Sequence, residues 1–250
     1  MTHLGSILHT ISYMALPLLL AMVFHEYAHG KVADAYGDHT AREAGRLTLN
    51  PLAHIDLFGT IVLPLLCLIF PTGVFLGYAK PVPVNPLNFH NPRRQMAIVA
   101  AAGPLMNLLL AIISAALLSA IMVLDPTVGE SISARGTLLP RLDLPGLILV
   151  PLAWMCMYSV LINIVLMVFN LIPIPPLDGG RILMNLLPAR HGATLSRLEP
   201  YGMLIIFFLI MADPQIHVFR VIMTPVNILF RTLMVPAGTL STAVLSTLGV

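Results

Sequence analysis

Residues 18 to 29 read Leu18-Leu19-Leu20-Ala21-Met22-Val23-Phe24-His25-Glu26-Tyr27-Ala28-His29, an apolar run that ends in three ionisable side chains. The apolar character starts near residue 6, and the first 24 residues contain no Lys or Arg. About 20 apolar residues suffice for a helix to cross a bilayer. No small-residue cleavage site follows, so the stretch predicts a retained first membrane helix rather than a removable signal peptide. Ionisable groups carried into such a helix are costly unless they are used. His25, Glu26 and His29 are therefore the first candidates for function.

The rest of the chain agrees with that start. Of 250 residues, 58% are hydrophobic and 10% charged, against about 25% charged in soluble domains. A water-soluble fold is excluded, because a chain of this composition would expose too much apolar surface. A net charge of +2, with its basic residues scattered, argues against nucleic acid as a partner. Cys67 and Cys156 lie in apolar runs, so neither a disulfide framework nor a thiolate zinc site is expected.

Further apolar windows cover residues 57–76, 96–124, 147–170, 200–212 and 216–235, separated by Pro-rich or Gly-rich stretches too short for a soluble domain. The expectation is an all-α integral membrane protein, a polytopic helical bundle in the lipid bilayer. One membrane-embedded domain would span 1–250, with a catalytic core over about 6–190 and a C-terminal helical hairpin over about 198–236. In 96–124, the small residues Ala111, Ala115 and Ser119 recur every fourth position, a spacing that lets helices pack closely in lipid. Ser159, Asn163 and Asn170 share one face of the 147–170 segment, which places that helix inside the bundle.

His25-Glu26-Tyr27-Ala28-His29 has the spacing H-E-x-x-H. On a helix, side chains at i and i+4 project from one face, so both imidazoles can bind one zinc while Glu26, beside them, takes a proton from a water at the metal. Chance would produce this pattern in roughly 0.5% of shuffled chains of the same composition.

Catalytic zinc takes three protein ligands and keeps one position open, so a third ligand must come from elsewhere. Asp178 has the most telling setting. It follows Pro173, Pro175 and Pro176, which forbid helix, and precedes Gly179-Gly180, where backbone can approach another element. A helix broken at membrane depth must have its freed backbone groups satisfied by protein or a water-filled cavity, which marks a site. A plain helix-capping role for Asp178 competes with this reading. His54 and Asp56 are rival ligands, with Asp56 better suited to capping the helix that follows.

Three ordered motifs, His25 to His29, Gly103-Pro104-Leu105-Met106-Asn107 and Asn170 to Gly180, together resemble the site-2 protease family of intramembrane zinc metalloproteases. The likeness spans residues 20–190 and is closest to the compact bacterial branch that lacks a PDZ domain. It implies one zinc ion per chain held by His25, His29 and Asp178, with Glu26 as general base. It also implies that Asn107 lies near the site and helps to hold the substrate. The implied activity is hydrolysis of peptide bonds in or next to transmembrane segments of membrane-anchored protein substrates. A membrane metal transporter or metal sensor using the same ligands is the alternative. A transporter needs ion access from both faces, whereas the ionisable residues here gather toward one.

Topology can be argued without the resemblance. One zinc requires the histidines and Asp178 at one depth, so one apolar window between them must enter and return. Segment 57–76, interrupted by Pro64, Pro71 and Gly73, is the best candidate for a re-entrant segment. With it re-entrant, the eleven Lys and Arg residues up to Arg197 divide as nine on one side and Arg135 and Arg141 on the other. The positive-inside rule then puts the site toward the cytoplasmic side of the cell membrane. Arg46 to Leu49 and Pro81 to Asn85 read as short extended pieces, a possible β element near the site, with alternate prolines suited to an edge. Such an edge can hold an unwound substrate segment by strand addition.

Overall fold

The computed structural model describes residues 3–62, 79–129, 143–211 and 217–248, and the regular structure in them is helical. Helix α1 spans His3–Ala35, followed by the short α2, Thr40–Glu43. Helices α3, Pro92–Leu124, and α4, Leu144–Asn170, come next. After them lie α5, Asp178–Leu186, α6, Ala189–Ser196, α7, Gly202–Met211, and α8, Val218–Leu248. Among the described residues, four stretches are long and apolar enough to cross a membrane: Ile11–Ala35, Pro92–Leu124, Leu144–Asn170 and Arg220–Thr239. The chain is thus a multi-pass, all-α membrane protein. Helix α7, at 10 residues, is too short to cross alone.

The chain divides into two compact units. The first comprises Met1–Ala21, Leu108–Leu166 and Phe219–Val250. On α3, Ala111, Ala115 and Leu118 are buried while Leu109, Ile112, Ile113 and Leu117 are exposed. Ala111 and Ala115 on the buried face allow the close approach that lipid demands, since apolar surface gains little by leaving a hydrocarbon solvent and close packing has to supply the attraction. The Ser114 and Ser159 hydroxyls meet at 2.8 Å, joining α3 to α4, and Asn163 donates to the Ser159 carbonyl at 2.8 Å. Of the polar face expected on α4, Ser159 thus bonds across to α3 and Asn163 bonds back to Ser159 within its own helix. The apolar core of this unit includes Leu118, Ile121, Met122, Val150 and Trp154.

The second unit, Met22–Asn107 with Met167–Val218, holds His25, Glu26, His29 and Asp178. Ala33, Phe89 and Val99 form its small core, with Tyr36, Val84 and Met96 against them. Helix α3 enters through an Asn91 cap: the Asn91 N–H donates to Gln95 Oε1 at 2.7 Å, and Pro92 stands at the first helical position, where its missing N–H costs nothing. Asp56 accepts from the Gly59 N–H at 2.7 Å, as a cap for Leu57–Val62, a turn of wide π-type helix. Past Val62, the re-entrant reading of 57–76 lies outside the described residues. The pieces expected to be extended, Arg46 to Leu49 and Pro81 to Asn85, form no strand ladder among the described residues. The Arg46 and Leu47 N–H groups donate to the Ala41 carbonyl, while those of Val82 and Asn85 donate to the side chains of Glu26 and Asp38.

Candidate metal centre

His25 and His29 stand one helical turn apart on α1, both buried, with ring centroids 4.7 Å apart and planes nearly perpendicular. Each imidazole is oriented from its far nitrogen. His29 Nδ1 donates to the Val99 carbonyl at 2.7 Å, and His25 Nδ1 donates to Asn107 Oδ1 at 2.6 Å. Both acceptors sit on α3. With the ring protons committed to Nδ1, each neutral ring carries its lone pair on Nε2, the tautomer a metal ligand requires. The two Nε2 atoms lie 3.1 Å apart.

Asp178 opens α5 at the end of the proline-broken stretch. Its position depends on the two glycines behind it. A Cβ on Gly179 would fall 2.2 Å from the Leu171 carbonyl oxygen, and one on Gly180 would fall 2.3 Å from the Pro175 nitrogen. Only bare backbone lets the first turn of α5 lie against residues 171–175, which aims the carboxylate at the histidines. Asp178 Oδ2 is 3.1 Å from His25 Nε2 and 3.4 Å from His29 Nε2. That oxygen is buried and has no hydrogen-bond partner among the described residues.

With both rings neutral and in that tautomer, three lone-pair atoms face one another, an arrangement that repels unless a cation occupies the centre. A tetrahedral zinc with bonds of about 2.0 to 2.2 Å sets its ligand atoms about 3.4 Å apart, close to the observed 3.1, 3.1 and 3.4 Å edges. The donor set suits zinc in chemistry and in size. Among the described residues, this is also the group of His, Cys, Asp or Glu side chains whose ligand atoms converge for a metal. Gly103 of α3 lies directly against it: a Cβ there would come 2.3 Å from His29 Nε2 and 2.6 Å from His25 Cε1.

A cavity of about 290 Å³ opens onto these groups, lined by His25, Glu26, His29, Val82, Asp178 and Arg181 among others. Glu26 reaches a loop far along the chain, its Oε2 accepting the Val82 N–H at 2.9 Å. Asn107 is fully buried, and its amide oxygen is engaged with His25. The rival ligands take other partners. His54 bonds the Thr48 carbonyl at 2.8 Å and Asp56 caps Leu57–Val62.

Several groups have partners that the sequence did not point to. Asp34, at the end of α1, pairs with His39 at 2.8 Å and with Arg42 at 2.5 Å. Asp38, fully buried, accepts from the Thr40 hydroxyl, from Asn88 Nδ2 at 2.7 Å and from the Asn85 N–H at 2.7 Å. Burial pushes the Asp38 carboxyl up, but the hydrogen bonds from Thr40, Asn85 and Asn88 outweigh it and hold it below the ordinary carboxylate range. Arg46 donates to the carbonyls of Ala53, Lys80 and Pro81. The Asp38-x-Thr40 spacing hints at a local turn; nothing local marks the rest.

Comparison with known proteins bears on this arrangement. The family model described as peptidase family M50 matches residues 13–138 and 145–212. A Bacillus subtilis (strain 168) protein named "Putative zinc metalloprotease YwhC" is 39% identical over 210 residues, which are 83% of each chain. The Mycolicibacterium smegmatis protein named "Putative zinc metalloprotease Rip2" is 29% identical over 193 residues, covering 77% of this chain and 64% of the relative. No solved structure matches the chain.

Proposed function

The chain belongs to peptidase family M50, the site-2 protease family, as an intramembrane zinc metalloprotease, and we propose the residues and steps by which it works. His25, His29 and Asp178 hold one zinc ion per chain, and Glu26 is the general base. The substrates are membrane-anchored proteins, cut in or next to their transmembrane segments. The observation that carries this reading is the triangle of His25 Nε2, His29 Nε2 and Asp178 Oδ2, with edges of 3.1 to 3.4 Å, opening on the cavity that Glu26 also lines.

A bound zinc supplies Lewis acidity, polarising a peptide carbonyl and bringing the pKa of a water toward about 7. The chain's own groups do the rest. Glu26 takes a proton from the attacking water and hands it to the leaving amine. The bonds to Val99 and Asn107 keep both rings turned toward the centre, and this is the role proposed for Asn107 through His25. Apolar lining by Val82, Val84, Met96, Val99 and Leu177 limits water around the reacting groups, so each charge interaction there is stronger than in solvent. The stretch Pro81 to Asn85 borders the cavity and is the proposed edge for an unwound substrate segment, since a peptide bond locked in helix cannot present its carbonyl. The bias of basic residues supports a cytoplasmic-facing site in the cell membrane.

A transporter using the same ligands has no need for a carboxylate base beside them. The decisive variant is Glu26→Gln, assayed in detergent for bound zinc and for cleavage of single-span helices. Zinc is expected to stay bound while cleavage falls by at least about a hundredfold. Retained cleavage would refute the mechanism.

A further inference from the structure

We infer that Lys80 to Asn85 is an orienting arm for Glu26, and that Arg46 and Asp38, which hold this arm, are positioning residues for hydrolysis. The inference rests on the reading of Glu26 as the base and deepens it. The arm has an unusual supply of donors. Pro81 and Pro83 have no N–H, so between Lys80 and Val84 the Val82 N–H is the single main-chain donor, and it points at Glu26 Oε2 at 2.9 Å. Fixing one carboxylate oxygen to a main-chain donor selects one orientation of a side chain with three rotatable bonds. The other oxygen is left to receive the proton.

A main-chain donor orients a base only if the main chain is itself held. Here it is tied on both sides of Val82. Before it, the Lys80 N–H donates to the His54 carbonyl at 2.9 Å, and the Arg46 guanidinium bonds the carbonyls of Ala53 and Lys80, the latter at 2.6 Å, and reaches that of Pro81 at 3.4 Å. After it, the Asn85 N–H donates to Asp38 Oδ2 at 2.7 Å, while Asp38 Oδ1 is taken by Thr40 and Asn88. The approach to α1 is close: a Cβ on Gly30, one turn beyond Glu26, would meet Val82 Cγ1 at 3.0 Å. A bare Gly30 lets the arm come near enough for the bond.

The test uses the full-length, zinc-loaded chain in detergent. Arg46→Gln removes the charged fork. Asp38→Asn keeps the shape but puts an amide nitrogen or a weaker acceptor opposite the Asn85 N–H. For each, kcat and KM on a single-span substrate, zinc content, and deuterium uptake of a peptide covering residues 80–84 are measured. The flanking prolines leave few amides in that peptide, so its uptake reports on Val82. Both variants are expected to lose about tenfold to a hundredfold in kcat, with KM within about threefold, zinc content unchanged and faster uptake at Val82. Arg46→Lys, which keeps the charge and one donor, is expected to recover part of the rate. Glu26→Ala, which removes the acceptor, is expected to speed uptake at Val82 as well.

Unchanged uptake in Glu26→Ala would overturn the inference, because the bond would not exist. Faster uptake with kcat retained in Arg46→Gln would overturn it too, as would a change confined to KM, since the arm would then serve substrate binding without orienting Glu26. A failure of the underlying reading looks different: Glu26→Gln would still cleave, while Val82 in the unaltered chain stayed protected.

Discussion

The metal-facing part of the second unit and the loop platform beside it are built on opposite plans. Around His25, His29 and Gly103 the geometry comes from regular helix, where one turn fixes the spacing and α3 supplies the acceptors that orient the rings. Around Asp38 and Arg46 there is little regular structure, and charged side chains seize main-chain groups as far as 34 to 47 residues away in sequence. The first plan gives rigid placement of a few atoms. The second gives a shaped edge whose position depends on a handful of bonds, each of which can be removed singly.

The sharpest way to break this contrast is to crowd the helical side. Gly103→Ala puts a methyl carbon where the structure leaves 2.3 Å to His29 Nε2. That substitution is expected to abolish zinc binding and cleavage while the chain remains folded, as judged by metal content and thermal melting in detergent. If Gly103→Ala retains full zinc content, the helical cradle is softer than its regularity implies. Next in size is Asn107→Ala, which removes the acceptor for His25 Nδ1. A loss of about 10- to 100-fold in zinc affinity is expected, measured by competition with a chelator.

The platform should answer in stability rather than in metal. Asp38→Ala leaves the donors of Thr40, Asn85 and Asn88 buried without their charged acceptor, at a cost of about 3 kcal/mol. Because the folded chain holds the Asp38 carboxyl below its ordinary range, the stabilisation is complete above about pH 4 and disappears as pH falls through the lowered native value. The gap in melting temperature between the unaltered chain and Asp38→Ala should therefore be widest near neutrality and narrow on acidification below about pH 4. A gap that stayed constant with pH would show that the carboxylate charge plays no part.

The same contrast decides what could be read from the sequence. H-E-x-x-H is a local pattern, and the helix period alone brings its two rings together. Asp178 was legible because proline and glycine announce a broken helix, even though its partners lie 149 and 153 residues away, as their numbers give. The small-residue spacing on α3 and the polar face of α4 were equally readable, since each is periodic. Arg46 and Asp38 could not be found this way. Their partners are mostly main-chain N–H and C=O groups, which nearly every residue possesses, so no residue type marks the pairing. The prolines at 81 and 83 correctly suggested a stretch that is not helical, but not that its bonds within the chain run to the side chains of Glu26, Asp38 and Arg46.

The small triangle of two nitrogens and one oxygen also discriminates among ions. Calcium takes six to eight oxygens at about 2.3 to 2.6 Å, and magnesium prefers an octahedron of oxygens, so neither is suited to two imidazoles so closely spaced. Late first-row ions suit nitrogen, and among them copper outcompetes zinc at most such donor sets. Which ion fills the seat is then a matter of supply, and an excess of copper should silence the protein by displacement.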